Sequence, residues 1–207
     1  MRFGNATLVL ASGLLCQAGT AVSKDPPLPP WYPLKPWEFS SFRAEYPRNG
    51  PYGTNESRME FTISNPSMIA AGPAPHASGG GYIVFSNSTA ECLLHWKNDT
   101  MTPQGYTKAT CPGTESGPTR AEWNVTIEQI IEIPPTTYID ISFSLAYRLR
   151  AYGNEFYKMM AAIVRMKTGD NIEGGCDEAG RCSYALIEGA APLLVQPILQ
   201  ECRFACG

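Results

Sequence analysis

The chain has 207 residues, with 16 basic and 19 acidic side chains, a formal net charge of -3 and a hydrophobic content of 43%. This length fits one domain with its own core, and the hydrophobic content argues against a disordered chain. So mild a negative charge gives no electrostatic footprint for nucleic acid, which requires clustered basic side chains, and we expect no nucleic-acid partner.

The N-terminus has the layout of a secretory signal peptide over residues 1–21. Arg2 is followed by a short apolar run from Leu8 to Leu15 and by small residues at Gly19 and Ala21, which predicts cleavage after Ala21. The apolar run is far shorter than the roughly 20 residues that span a bilayer, so we expect no membrane anchor. The sequence therefore predicts a secreted, extracellular protein.

Residues 22–36 form a proline-rich segment, VSKDPPLPPWYPLKP. Because proline fixes φ and cannot donate a backbone hydrogen bond, this segment is expected to be an extended arm that acts as a spacer. Trp31 and Tyr32 are its aromatic side chains, and they are candidates for an exposed pair. We assign residues 37–207 to a single β-rich domain.

From Trp37 onward, apolar and polar residues alternate with a period of two, which is typical of strands with one buried face. The clearest run is Tyr138 to Arg150, where Ile139 and Ile141 face the opposite way to Asp140. Strands are predicted over Trp37–Tyr46, 58–64, Gly81–Ser86, Ala90–Lys97, Tyr106–Cys111, 121–128, Tyr138–Arg150, Glu155–Met166, Tyr184–Glu188 and Leu193–Glu201.

Eight to ten short strands separated by turn-rich segments predict an all-β domain, an antiparallel sandwich or barrel stabilised by disulfides. The segment EFYKMMAAIVRMK over Glu155–Lys167 also has helical propensity. We favour a strand there, because the preceding AYGN predicts a hairpin with the strand before it.

Removal of the signal peptide takes Cys16 away and leaves an even set of six cysteines. An even set in a secreted chain predicts disulfides. Neighbouring pairs are the simplest assignment, although a bond between Cys182 and Cys202 stays open. A zinc site is disfavoured because C-x2-C spacing is missing. The six are Cys92, Cys111, Cys176, Cys182, Cys202 and Cys206.

After the predicted signal peptide, four N-x-S/T sequons predict N-glycosylation, at Asn55, Asn87, Asn98 and Asn124. Asn124 falls on the polar face of its predicted strand, where a glycan could project into solvent. Together with the signal peptide, the sequons favour a secreted eukaryotic glycoprotein.

The order of these features resembles a family. A tryptophan-led strand (WEFSSFRAEY) is followed by FTISNPS, by Cys92 and Cys111, by AEWNVTI, by the long hairpin strand YIDISFSLAYRLR and by a late C-x5-C. This order is similar to that of the fungal secreted proteins typified by the major allergen of Alternaria. The resemblance implies a compact β-sandwich or barrel with two intrachain disulfides, no established enzymatic activity and an effector-like or allergen-like role at the host–fungus boundary.

No catalytic, cofactor or metal set is recognisable in the sequence. His76 lies in a Gly- and Pro-rich loop, and His95 shares the polar face of its strand with Glu91. Glu91, Glu122 and Asp140 are polar-face carboxylates, which are usually solvated. Where function can be located at all, we expect it in the loops around His76 and Gly174.

The sequence therefore favours a non-enzymatic secreted protein that binds an extracellular protein or glycan, and a homodimer is left open. A carbohydrate-binding or small carbohydrate-active protein is the alternative, and it requires an open groove lined by Tyr or Trp with two carboxylates. A small-ligand barrel would instead need an apolar cavity.

Overall fold

The structure, a computed structural model, describes residues 34–47, 56–75, 79–97, 108–113, 119–133 and 135–204. The signal peptide, most of the proline-rich arm, His76, Asn55, Asn98 and Cys206 lie outside these ranges. In the described ranges no helix is long and apolar enough to cross a membrane. The elements are thirteen strands: β1 (Trp37–Pro47), β2 (Glu56–Asn65), β3 (Ile69–Pro73), β4 (Tyr82–Phe85), β5 (Ser88–Lys97), β6 (Lys108–Pro112), β7 (Thr119–Ile133), β8 (Thr136–Ala151), β9 (Asn154–Lys167), β10 (Ile172–Cys176), β11 (Arg181–Leu186), β12 (Leu193–Val195) and β13 (Ile198–Arg203).

Two antiparallel sheets form a sandwich-like arrangement. The first sheet has the order β10-β11-β1-β2-β5, with β12 also paired to β1, and the second has the order β13-β9-β8-β7-β6. A small third sheet consists of β3 and β4. The predicted all-β, antiparallel, disulfide-bonded fold is thereby confirmed, with more strands than the eight to ten expected.

Aromatic side chains from the facing sheets fill the core. Trp37 of β1 meets Trp123 of β7 edge-on, with ring centroids 4.8 Å apart. Phe143 of β8 packs against Phe39 of β1, with a centroid distance of 5.6 Å. The buried Trp123 indole donates a hydrogen bond to Ser88 Oγ at 3.0 Å, which satisfies its one polar atom. The apolar faces of β1, β7 and β8 are therefore joined in one core.

A bulge in β1 keeps both halves of that strand in the core. Trp37 and Phe39 are buried before it, and Phe42 and Ala44 are buried after it, so the inward positions change from odd to even numbers. The register shifts between Ser40 and Arg43 at this point. An extra residue in one strand is what restores the inward face when alternation is broken.

The segment Glu155–Lys167 is a strand, as the hairpin interpretation predicted, and it lies within β9. All of β9 pairs with β8, from Asn154 opposite Ala151 to Lys167 opposite Tyr138. The two-residue connection has positive φ at both positions, 52° at Tyr152 and 75° at Gly153. Turns of this kind match the twist of the flanking strands and fix their register.

The predicted strand Leu193–Glu201 is wrong in one respect, because the structure divides it into β12 and β13 in different sheets. β12 pairs with β1, whereas β13 pairs with β9. Pro197 separates the two, and it lacks the amide hydrogen that a continuous ladder would need. Gln196, at the same crossing, donates from its side chain to the backbone carbonyl of Leu34 at 3.2 Å.

Two further strands were not predicted, and a third has other bounds than expected. β3 lies in a segment without apolar–polar alternation, and β10 is rich in glycine. The strand expected over Tyr184–Glu188 is β11, which begins and ends earlier in the chain.

Two disulfides join strands that are neighbours in space. Cys92 of β5 is bonded to Cys111 of β6, so this bond connects the edges of the two sheets, beside a β-bridge between Ala90 and Gly113. The second bond joins Cys176 and Cys182, which are opposite each other in the β10–β11 hairpin. Because Cys182 is occupied, its alternative pairing with Cys202 is excluded. Cys202 is also disulfide-bonded, and its partner lies outside the described residues.

Removing the bond between the sheets should destabilise the fold more than removing the hairpin bond. The two bonds span sequence separations of 19 and 6 residues. In the chain-entropy treatment, the double change Cys92→Ala and Cys111→Ala should cost about 3 kcal/mol, and Cys176→Ala with Cys182→Ala about 2 kcal/mol. Chemical denaturation of the purified chain measures both losses, and a larger loss for the hairpin bond would contradict this ranking.

Candidate groove on the first sheet

A groove of about 820 Å³ lies on the outer face of the first sheet, where β1 bulges. Register brings its floor together from three strands, since Arg43 is opposite Glu60 and Glu60 is opposite Leu93. Thr62 is opposite Glu91 in the adjoining position. Side chains that are directly opposite on one face lie about 5 Å apart, so these five form one continuous surface.

The segment that follows β11 forms one wall of the groove. Its lining residues include Ile187, Glu188 and Gly189. The amide of Ile187 donates to the carbonyl of Asn171 at 3.1 Å, and that of Ala190 donates to Ile187 at 2.9 Å. Gly189 has a φ of 85°, a conformation that favours glycine. These backbone bonds fix the wall in place beside the sheet.

Ser41 lines the groove, and its own backbone is strained. Its φ is 54°, in the left-handed region that residues with a Cβ rarely adopt. Such strain persists only where the surrounding structure imposes it, and it is often found at functional sites. Here the burial of the residues on both sides of the bulge imposes it, and the bulge lies at the floor of the groove.

The charges of the groove are only partly neutralised. Glu60 forms an ion pair with Arg58, with 2.6 Å between Nη2 and Oε2. Among the described residues, Glu91, Glu188 and Arg43 form no ion pair. Leu93 adds an apolar side chain that is 51% exposed. The groove can thus offer two carboxylates, one guanidinium, hydroxyl groups and an apolar contact to a partner.

The predicted carboxylates are not brought together. Glu91 lies in the groove on the first sheet, whereas Glu122 and Asp140 lie on β7 and β8 of the second sheet. Glu122 accepts a hydrogen bond from the side chain of Asn124 at 3.3 Å. His95 is exposed on the outer face of β5, opposite Arg58, and within the described part of the chain it makes no hydrogen bond.

Asp140 is a structural residue. Its side chain is 5% exposed and forms a bidentate pair with Arg165, with distances of 2.8 Å from Nε to Oδ1 and 2.7 Å from Nη2 to Oδ2. Gln129 donates to Oδ2 at 2.5 Å. The hydrogen bonds from Arg165 hold the pKa of Asp140 below its usual value, against the opposing effect of burial. This carboxylate therefore joins β7, β8 and β9.

The tryptophans of the described ranges belong to the core. Trp37 and Trp123 are fully buried, and Trp96 is partly buried and packs against the core. Trp31 and Tyr32 lie outside the described residues. Among the described residues, no Trp or Tyr lines the groove.

A second, smaller cavity of about 130 Å³ lies beside Gly174, which is in strand β10 and not in a loop as expected. Tyr184 and Thr137 share a hydrogen bond of 3.0 Å there. Burial raises the pKa of Tyr46, which stacks on Tyr184. Glu132 approaches Cys176 and Cys182, but their sulfur atoms are bonded to each other and are not thiolate ligands. We interpret these residues as part of the packing of the fold and not as a ligand site.

Two of the four sequons lie in the described ranges. Asn87 is exposed between β4 and β5. Asn124 is half-buried in β7, and its side-chain oxygen accepts a hydrogen bond from Thr110 at 3.1 Å. A glycan would be accommodated more readily at Asn87, since Asn124 uses its amide in bonds along the sheet.

The chain was compared with protein-family models, with curated proteins and with solved structures, and nothing matched in any of the three comparisons. The resemblance to the fungal secreted family therefore stays a prediction.

Sequence reasoning singled out Glu91 but none of its partners in the groove. Arg43, Glu60 and Glu188 are far apart in the chain, and only the strand register and the wall segment bring them near Glu91. One signal was present, because the doubled serine in WEFSSFRAEY interrupts the alternation where the bulge occurs.

The Asp140–Arg165 pair should make stability depend on acidic pH. A lowered carboxyl pKa stabilises the fold above the unfolded-chain value of about 3.9, and that contribution is lost as the pH falls through the lower folded-state pKa. Asp140→Asn should cost about 1–3 kcal/mol at neutral pH. Between about pH 5 and 2 the wild type should lose more of its unfolding free energy than this variant.

Denaturant titrations over that pH range measure the effect. Glu122→Gln is the matched control, because this carboxylate is exposed on the same sheet and should change the curve little. Parallel curves for the wild type and Asp140→Asn would show that the pair does not contribute as described.

Proposed function

We propose that this is a secreted, non-enzymatic protein that acts by binding an extracellular partner in the groove of the first sheet. The observation that carries the proposal is the exposed Leu93 between carboxylates and a guanidinium on a strained, concave part of the sheet. Such a combination suits a protein segment, which can offer apolar and charged groups together.

Binding is favoured over catalysis by the placement of the reactive groups. A nucleophile must lie within hydrogen-bond reach of its base, yet His95 has no hydrogen-bonding partner in the described part of the chain. Asp140 is engaged by Arg165, and it is on a different sheet from Glu91. Neither His95 nor Asp140 therefore forms an acid–base pair with Glu91.

A protein partner is favoured over a neutral glycan by the lining of the groove. Neutral sugars are commonly held by stacking on aromatic rings, and no described residue of the groove is Trp or Tyr. The carbohydrate alternative then depends on Trp31 and Tyr32 of the arm, outside the described residues.

Secretion is supported by the signal-peptide layout of residues 1–21 and by the sequons. Disulfides such as that between Cys92 and Cys111 are compatible with an oxidising, extracellular environment. The family resemblance adds a role as an effector-like or allergen-like protein of fungal origin.

Expression of the full chain in a eukaryotic secretory host should release a protein that begins at Val22. Enzymatic removal of N-glycans should lower its mass, and Asn87→Gln should abolish part of that change, because Asn87 is exposed. Mass spectrometry of the medium and the cell pellet measures both. Retention of an uncleaved chain in the cells would contradict secretion.

A charge placed in the groove should remove partner binding. The purified protein is used to capture partners from host extracellular fluid, and the affinity of the captured partner is then measured for two variants. Leu93→Arg should weaken binding about tenfold or more, since it buries an unpaired charge in the interface. Ile163→Arg is the control, because Ile163 is similarly exposed, at 65%, on the second sheet.

Equal binding by Leu93→Arg and the wild type would contradict the assignment of the groove. Turnover on a glycan or RNA panel that is abolished by Glu91→Gln or by His95→Ala would contradict the non-enzymatic assignment.

A further inference from the structure

The outer face of the second sheet carries a line of basic residues that the groove does not involve. Register places Arg120 of β7 opposite Arg148 of β8, and Arg148 opposite Tyr157 of β9. Tyr157 is in turn opposite Arg203 of β13. These four residues, the arginine row, cross four adjacent strands, and the three arginines are exposed.

The first two members of the row repel each other. Like charges directly opposite on neighbouring strands destabilise a sheet. In the described part of the chain, neither Arg120 nor Arg148 forms an ion pair. The repulsion therefore has a cost that no ion pair within the described structure offsets, and an anion bound between the two arginines would offset it.

Tyr157 holds two of the guanidinium groups in position. The guanidinium carbons of Arg148 and Arg203, from the strands on either side, each lie 5.4 Å from the centroid of its ring. Arg203 is further fixed by Glu201, at 2.8 Å. A guanidinium that rests on an aromatic ring keeps N–H groups free for a ligand and loses little conformational freedom on binding.

Acidic residues limit the width of the positive surface. In the neighbouring line of side chains, Glu122 is at one end and Glu201 is at the other. On the opposite side, Glu155 pairs with Arg150. A membrane or a nucleic-acid duplex would bring its phosphates over these carboxylates. A single polymer chain that runs across the strands would follow the row and meet one carboxylate, Glu201, beside Arg203.

We propose that the arginine row binds the anionic groups of a polysaccharide laid across the second sheet. With strands about 4.8 Å apart, the row is about 14 Å long, enough for more than one sulfate or carboxylate group of one chain. The choice of a polysaccharide rests on the proposed secretion, because anionic polysaccharides are polyanions found outside cells. The shared chemistry is the planar pairing of guanidinium with an oxyanion.

The test measures the affinity of the purified full chain for two probes, heparin as a sulfated polysaccharide and polygalacturonate as a carboxylated one, over a series of salt concentrations. The double variant Arg120→Gln and Arg148→Gln should lose about tenfold or more in affinity. The negative slope of log affinity against log salt should become shallower by about two, because two charges are removed. The probe that binds more tightly identifies the anionic group.

Two controls separate this effect from others. Arg181→Gln removes one exposed charge from the first sheet and should leave binding nearly unchanged. The double variant should unfold near the wild-type temperature, because loss of the repulsion between Arg120 and Arg148 offsets loss of the contact between Arg148 and Tyr157. A lower affinity together with an undiminished thermal midpoint shows that the arginines serve a ligand and not the fold.

The proposal would be overturned by unchanged affinity in the double variant, by an equal loss in Arg181→Gln, or by tighter binding to duplex RNA or anionic vesicles than to both polysaccharides. Leu93→Arg should bind both probes like the wild type. Failure of the groove assignment is therefore seen in partner capture, and failure of the arginine row is seen in polysaccharide affinity.

Discussion

The structure depends on the conformation of one residue in β1. This strand pairs with β2 on one side and with β11 and β12 on the other, so its path sets the position of most of the first sheet. Its two halves can both face the core only because Ser41 adopts a left-handed φ of 54°. The strain at Ser41 is offset by the burial of Trp37 and Phe42, and the groove lies at the same place in the sheet.

The sequence predicted the strands in which one face is clearly apolar and the other clearly polar. β8 and β9 are long, they alternate over most of their length and a two-residue turn joins them. Alternation did not predict the strand boundaries that depend on tertiary contacts. Pro197 is a local sign of a break in the predicted strand, but it does not tell that the chain leaves one sheet at Val195 and enters the other at Ile198. That crossing depends on which strands lie nearby.

The candidate groove was less predictable than the fold for a related reason. Alternation tells that Glu60 and Glu91 face outward, but it does not tell which strands are neighbours. Register supplies that information, and it also separates Glu91 from Asp140, whose polar-face position looked equivalent in the sequence. The overall charge of -3 is misleading in the same way, since it averages over a surface on which Arg120 and Arg148 are adjacent.

The bond between Cys92 and Cys111 has a consequence for proteolysis of the chain. The chain between these residues forms the only covalent path along the backbone from β5 to β6, and the disulfide provides a second one. A protease that cuts once within this segment therefore yields two pieces that stay attached to each other. Strand pairing also holds the pieces together, because β11 and β12 of the second piece pair with β1 of the first. A core of packed aromatic rings joins them as well. Nicking at this place would leave an intact particle, with both of its outer faces still displayed.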